Sequence, residues 1–221
     1  MTSKRRLRGT GATAGTVALA VLAACGGSRF HYVQNKDDRA FFKVPSAWSV
    51  LTVDRPKDDT AKLPEPWTRA FDAATDPKLD HVVAEVPTQV AGRATVDYVD
   101  AATADGISSS SLRSAIGGLS EDPLTLADKQ PDQIKVRSVT TLHGKGGLKG
   151  SRIVYETTAT DGRKVTRDLT TMVDPQPYPN PKGQGSSMFK VYVFDVRCES
   201  SCFEANKSQI ADVIKSWQVI R

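Results

Sequence analysis

The chain has 221 residues, is 39% hydrophobic and 25% charged, and carries a formal net charge of +5. Residues 1–24 hold four of the 30 basic side chains and no acid, so 26 basic residues face 25 acidic ones in the remainder. That near balance excludes the basic footprint that nucleic-acid binding needs, and the length suits one domain with a sizeable core.

The first element is an export signal. Lys4, Arg5, Arg6 and Arg8 make a positive start, and Thr10 to Ala24 follow without a charge, rich in Ala, Val and Leu. The run is too short and too weakly apolar to span a membrane, and the layout is that of a secretory signal. An ordinary signal ends in an A-x-A-like site, whereas this one ends in Leu22-Ala23-Ala24-Cys25. That motif resembles the lipobox of bacterial lipoproteins. The resemblance implies a diacylglyceryl group on the Cys25 thiol, cleavage before Cys25, and a lipid that holds the new N-terminus at the outer face of the cell membrane. Two acyl chains, at about 0.8 kcal/mol per buried methylene, give a stable anchor. The expected organisation is a signal peptide over 1–24, a lipidated tether over 25–39 and a single domain over 40–221. Gly26 to Arg39 is polar and opens on glycine. As a flexible coil it averages roughly 20 Å end to end.

Ala40 to Val44 reads as a short strand stopped by Pro45, and Trp48 to Val53 as the next. Arg55 to Pro66 reads as a charged, proline-marked loop. Trp67 to Ala73 alternates loosely, and His81 to Val86 reads as a strand. Thr95 to Val99 opens a helix with Thr95 as N-cap, and a short helix covers Leu112 to Ile116. Ile134 to Leu142 alternates, Gly144 to Gly150 is a turn, and Asp161-Gly162 joins two strands, Ser151 to Thr160 and Arg163 to Val173. That dipeptide is a hairpin signal because both central positions of the tightest turn want positive φ. Asp174 to Ser187 is a long loop carrying Pro175, Pro177, Tyr178, Pro179 and Pro181. Phe189 to Val196 is an apolar strand. Phe203, Ile210, Val213, Ile214 and Trp217 share a helical face, so Phe203 to Ser216 reads as one amphipathic helix. The expected core includes Val44, Trp48, Val191, Val193, Ile210, Ile214 and Trp217.

The order of these elements carries a second resemblance. A strand ends in Val44-Pro45, Trp48 follows a short turn, a helix lies mid-chain, four antiparallel strands follow, and the last helix runs into Lys215-Ser216-Trp217-Gln218-Val219. Between Ala40 and Ile220 this resembles the PsbP-like α/β/α sandwich, and within it the actinobacterial LpqN-type lipoproteins. The resemblance implies an α+β fold, an antiparallel sheet flanked by helices, and a binding or envelope-assembly role without catalysis. It transfers no functional residue.

Chemistry-bearing residues are sparse. With Cys25 taken by lipid, Cys198 and Cys202 are left as a pair in an exported chain, where a disulfide is the default. Three residues separate them, against two in the usual redox motif. Zinc would need two more ligands, while His31, His81 and His143 are scattered singly. No cofactor or metal is therefore expected. A hydrolase would need His81 or His143 beside Asp97, Asp100 or a serine, and no G-x-S-x-G elbow is present. Gly144 to Gly150 lacks the phosphate-loop spacing. The proline-stiffened loop around Tyr178 is the candidate binding loop, because stiff segments lose less entropy on ordering. The expected partners are the membrane, through the lipid, and either an envelope protein or an apolar ligand held between sheet and helices.

Overall fold

Alternation of apolar and polar side chains folds ten segments of the described chain into antiparallel strands. The computed structural model describes residues 29–54, 63–181 and 187–220. In chain order the strands and helices of the first half are β1 (Phe30–Asn35), β2 (Ala40–Pro45), β3 (Ser49–Thr52), β4 (Trp67–Asp72), α1 (Leu79–Val83), β5 (Ala91–Asp100), α2 (Ala101–Gly106), α3 (Ser109–Gly117) and α4 (Pro123–Lys129). The second half adds β6 (Ile134–His143), β7 (Lys149–Thr158), β8 (Lys164–Tyr178), β9 (Met188–Glu199), α5 (Ser200–Ala205), α6 (Lys207–Ser216) and β10 (Gln218–Val219). Seven strands form one antiparallel sheet in the order β3-β4-β5-β9-β8-β7-β6, and β1-β2-β10 form a small second sheet.

The large sheet has a core on each face. Val191, Val193, Leu169, Ile153 and Tyr155 point to the side covered by α2, α3 and α4. Phe194, Val196, Ala94 and Phe71 point to the other, where Phe203, Ile210, Val213 and Ile214 meet Phe42, Val44 and Trp48. Val191 and Val193 thus share a face and Tyr192 takes the opposite one, as a regular strand requires. The expected core splits between these two layers, and Trp217 is half-buried at the edge of the second, stacked on Phe194 with ring centroids 5.0 Å apart. Gly92 is needed here because a Cβ would strike the Phe71 ring and the Asp195 carbonyl.

Several elements differ from expectation. Phe30–Asn35, expected within the tether, is a strand paired to β2 from Phe30–Pro45 to Asn35–Ala40. His81 to Val86 is not a strand. The buried Asp72 carboxylate accepts from the amides of Ala74 and Lys78 and bonds His81 Nδ1 at 2.6 Å. It curls the chain into α1, whose Val82 packs on Ala70 and Ala91. Thr95 caps no helix: it lies inside β5, its hydroxyl 3.3 Å from that of Thr68 on β4, and Asp100 caps α2 through Thr103 N–H. The single helix over Phe203 to Ser216 is two, divided at Asn206, whose side chain donates to the Cys202 carbonyl at 2.9 Å. At the β7–β8 hairpin only Gly162 takes positive φ (83°). The Ala159 carbonyl accepts from Gly162 N–H, which is the three-residue loop closed by a left-handed glycine rather than the two-residue turn.

The proline-marked loop begins later than expected. β8 runs on through Asp174 to Tyr178, paired to Lys190 and Met188 of β9 across an irregularity. Its pairing with β7 stops at Val173. Pro175 and Pro177 therefore stand where β8 overhangs β7 and no strand asks for their missing N–H. Cys198 and Cys202 form a disulfide, Cα atoms 6.0 Å apart, that ties the end of β9 to α5. The short loop makes it worth about 2 kcal/mol in the chain-entropy picture.

One buried fork joins sheet to helix. Arg167 on β8 bonds both oxygens of the fully buried Asp195 on β9, at 2.7 and 2.6 Å. The same guanidinium donates to the Ile116 and Gly117 carbonyls at the end of α3, at 3.0 and 2.8 Å. Burial pushes the Asp195 carboxyl up, but Arg167 outweighs it and holds the group below the ordinary aspartate value. Asp195→Asn leaves a buried guanidinium unpaired, and the expected cost is about 3–5 kcal/mol by urea unfolding. A pKa lowered on folding adds stability that is complete above the unfolded value, near 4, and is lost as pH falls through the folded one. The wild-type stability curve should therefore fall below pH 4 more steeply than that of the variant.

Candidate functional site

At one end of the large sheet its second face is left partly open. Helix α6 stops at Ser216, whose hydroxyl donates to the Val213 carbonyl at 2.6 Å and accepts from Lys43 N–H of β2 at 3.0 Å. The chain then extends at Trp217 and runs as β10 along β2, with Gln218 opposite Phe41 and Val219 opposite Ala40. Between this terminal stretch and the faces of β6, β7 and β8 lies an open groove of about 640 Å³. Leu148, Met172, Ile214, Trp217, Val219 and Ile220 give it an apolar lining. The opposite rim is the β6–β7 connection, where Gly146 and Gly147 take φ of 71° and 88°. That left-handed pair bends the chain so that Leu148 turns inward and Lys145 stays in solvent.

The charges round the groove are uneven. Arg152 forks onto Asp168 at 2.9 and 2.6 Å, so that pair is self-neutralising. Burial raises the Asp168 carboxyl above its ordinary value, although Arg152 opposes it. Lys145, Lys215 and His143 also line the groove and are exposed. Their side chains have no hydrogen-bond or ion-pair partner among the described residues. The Trp217 Nε1 donor is buried and likewise without an acceptor among those residues.

Across Ile220 from the groove lies a polar cleft of about 540 Å³. The β1–β2 turn places Asp38 there, held by Asn35, whose Nδ2 donates at 2.5 Å. Asp38 accepts from Tyr98 Oη at 2.8 Å and pairs with Lys190 Nζ at 3.0 Å. Lys190 also lies 4.1 Å over the Tyr178 ring, and Tyr178 Oη donates to Asp174 at 2.6 Å. Burial, reinforced by the bond to Asp38, pushes the Tyr98 hydroxyl far above its ordinary pKa. It stays protonated and donates to Asp38. Arg39 takes φ of 55°, a left-handed conformation uncommon outside glycine, and its carbonyl accepts from Ile220 N–H at 2.9 Å. The cleft thus fastens the wall that it shares with the groove.

Of the residues singled out from sequence, Cys25 lies outside the described residues, and Cys198 and Cys202 are bonded to each other. Pro175, Pro177, Pro179 and Pro181 are exposed, while Tyr178 turns inward toward Asp174 and Lys190. His81 meets Asp72, not Asp97 or Asp100, and His31 lies 3.1 Å from the Ser46 carbonyl. No cluster of three metal-binding side chains occurs among the described residues. No helix among them is long and apolar enough to cross a membrane. Between α2, α3 and the sheet the cavity measures about 150 Å³, below the 300–1,000 Å³ usual for small-molecule sites. Missing from the sequence reading are Asp38, Lys190, Lys145 and Lys215. Lys190 had left a signal, as a cation inside an apolar run.

No family model and no curated protein sequence matches the chain. Among solved structures it is similar to the cyanobacterial PsbP protein CyanoP of Synechocystis sp. PCC 6803, at 13% identity and a TM-score of 0.46 over 91% of this chain and 99% of that one. It is also similar to LpqN of Mycobacterium tuberculosis, described as involved in cell envelope biogenesis. There identity is 12% and the TM-score 0.44, over 87% of this chain and 91% of that one. Likeness at this level is one of outline. The α+β class stands on the antiparallel sheets and flanking helices themselves.

The polar cleft generates a stability prediction. Lys190→Met leaves the buried Asp38 carboxylate with hydroxyl and amide donors only, and should cost about 3 kcal/mol in urea unfolding. A loss below about 1 kcal/mol would show that Tyr98 and Asn35 satisfy Asp38 alone.

Proposed function

We propose that this chain is a lipid-anchored, extracytoplasmic bacterial lipoprotein whose domain is a non-catalytic binding module, with the groove as its site. The anchor reading rests on Leu22-Ala23-Ala24-Cys25 behind the basic, acid-free start. The observation that carries the binding reading is the placement of the groove. Only Gly26 to Arg29 separate Cys25 from Phe30, the first residue of β1. The five residue steps from Cys25 to Phe30 reach at most about 18 Å, so an anchor on Cys25 keeps the Phe30 end of β1 within that distance of the bilayer. Phe30 pairs with Pro45 at one end of β2, whereas β10 and the groove wall meet Ala40 and Phe41 at the other. The two ends lie roughly 17 Å apart, five residues at 3.3–3.4 Å each. On this reading a ligand is taken up at the end of β2 opposite the tethered one.

A second reading keeps the proline-marked rim as a surface for an envelope protein. It is favoured by the exposure of Pro175, Pro177, Pro179 and Pro181 beyond the end of β7.

Two measurements check the proposal. Cys25→Ser should move the protein from the detergent to the aqueous phase in Triton X-114 partitioning, and unchanged partitioning contradicts the anchor. Dodecyl maltoside, below its micellar concentration, should bind the full chain carrying Cys25→Ser. Adding Ile220→Asp, at a half-exposed position on the wall, should abolish that binding. Equal binding by both proteins places the alkyl chain elsewhere.

A further inference from the structure

Apolar lining alone would suit any hydrocarbon, but the rim of this groove is not neutral. Arg152 is cancelled by Asp168. No Asp or Glu is itself a lining residue among those described, and Asp212, one turn before Lys215, lines the adjoining cleft beside β2 instead. Three donors are left over: Lys145 and His143 on the β6–β7 side and Lys215 at the end of α6. They stand on both sides of an apolar floor formed by Leu148, Met172 and Trp217. A cation without a partner is ordinary on a surface. Two lysines and a histidine on facing rims of one apolar groove are a matched pattern for an anion that carries a hydrocarbon body.

From this we infer that the groove binds a single-chain amphiphile with an anionic head, a phosphate or carboxylate, taken up as a monomer. The head bridges Lys145 and Lys215, and the chain lies along Leu148, Met172, Trp217 and Ile220. Charge-assisted bonds to an anion are about twice as strong as neutral ones, and the volume of about 640 Å³ lies within the usual range for small-molecule sites. Its concave form favours a monomer over the face of a bilayer. Buried Trp217 Nε1 adds a donor beside the same floor.

The inference rests on the groove being the binding site, and the probes separate the two claims. Calorimetry on the full chain carrying Cys25→Ser compares dodecyl phosphate, dodecyl maltoside and inorganic phosphate, all below micellar concentration, with vesicles of anionic phospholipid. Dodecyl phosphate should bind at least about tenfold more tightly than the maltoside. Lys145→Glu with Lys215→Glu should remove that preference, bringing the two dodecyl probes to within about threefold of each other. Lys145→Arg with Lys215→Arg should retain it. Equal affinity for the two dodecyl probes in the wild-type rims overturns the anionic head while the groove stands. An unchanged preference for dodecyl phosphate in the double Glu variant overturns it as well. Equal binding of inorganic phosphate, or binding of vesicles without the monomer, overturns the amphiphile. Binding of no dodecyl probe overturns inference and groove together.

Discussion

The fork between Arg167 and Asp195 is the constraint on which the layered structure depends. Both residues lie within the two longest strands of the sheet, at positions that alternation assigns to an apolar core. A lone charge there would be prohibitive, and a pair is tolerable only with every donor placed. The guanidinium meets that condition by reaching past Asp195 to the carbonyls that end α3. The helix layer is therefore held in one position over the sheet, where apolar contact alone would allow sliding. Arg113 repeats the device one turn earlier, pairing with Asp122 and donating to Ser151 of β7 at 3.1 Å. With α3 and α4 fastened, that face is closed apart from the small cavity under α2 and α3.

The opposite face is arranged differently. Its core is aromatic, with Phe42, Phe71, Phe194, Trp48 and Trp217 in a chain of ring contacts. Its buried members within strands and helices come from α5, α6, the small sheet, β4, β5 and β9, and none lies on β6, β7 or β8. The groove is what remains where this layer ends. Asp38, Tyr98 and Lys190 pin the β1–β2 turn, and Arg39 pins Ile220, so the terminal strand has a fixed wall against which a ligand can rest. Fixed walls reduce the ordering cost of binding.

How much of this was legible in the sequence follows from the range of each interaction. Asp161-Gly162 and the alternation of β6 to β9 are local signals, and they locate four neighbouring strands and their hairpin. The apolar residues of the last helical region are also local, although Asn206 breaks the helix through one side-chain bond to Cys202. Misread elements depend on distant partners. His81 to Val86 has strand composition, but Asp72 takes its preceding amides. Thr95 has capping chemistry, but Thr68 faces it from β4. Phe30 to Asn35 is polar enough for a tether, and only β2 makes it a strand. At the site the prolines were visible and the working charges were not. Lys145 and Lys215 are 70 positions apart in the chain, and only the packing of the C-terminal segment beside the β6–β7 connection brings them to one groove.

Where a ligand sits on the folded chain is measured most directly by backbone amide chemical shifts during titration with dodecyl phosphate. The account places the largest changes at Leu142 to Leu148, Met172 and Trp217 to Ile220, with residues of β1 near Phe30 and the α2–α3 cavity unaffected. Changes centred on Val99, Ile107 and Leu112, or on Phe30 to Tyr32 with the groove silent, would contradict it.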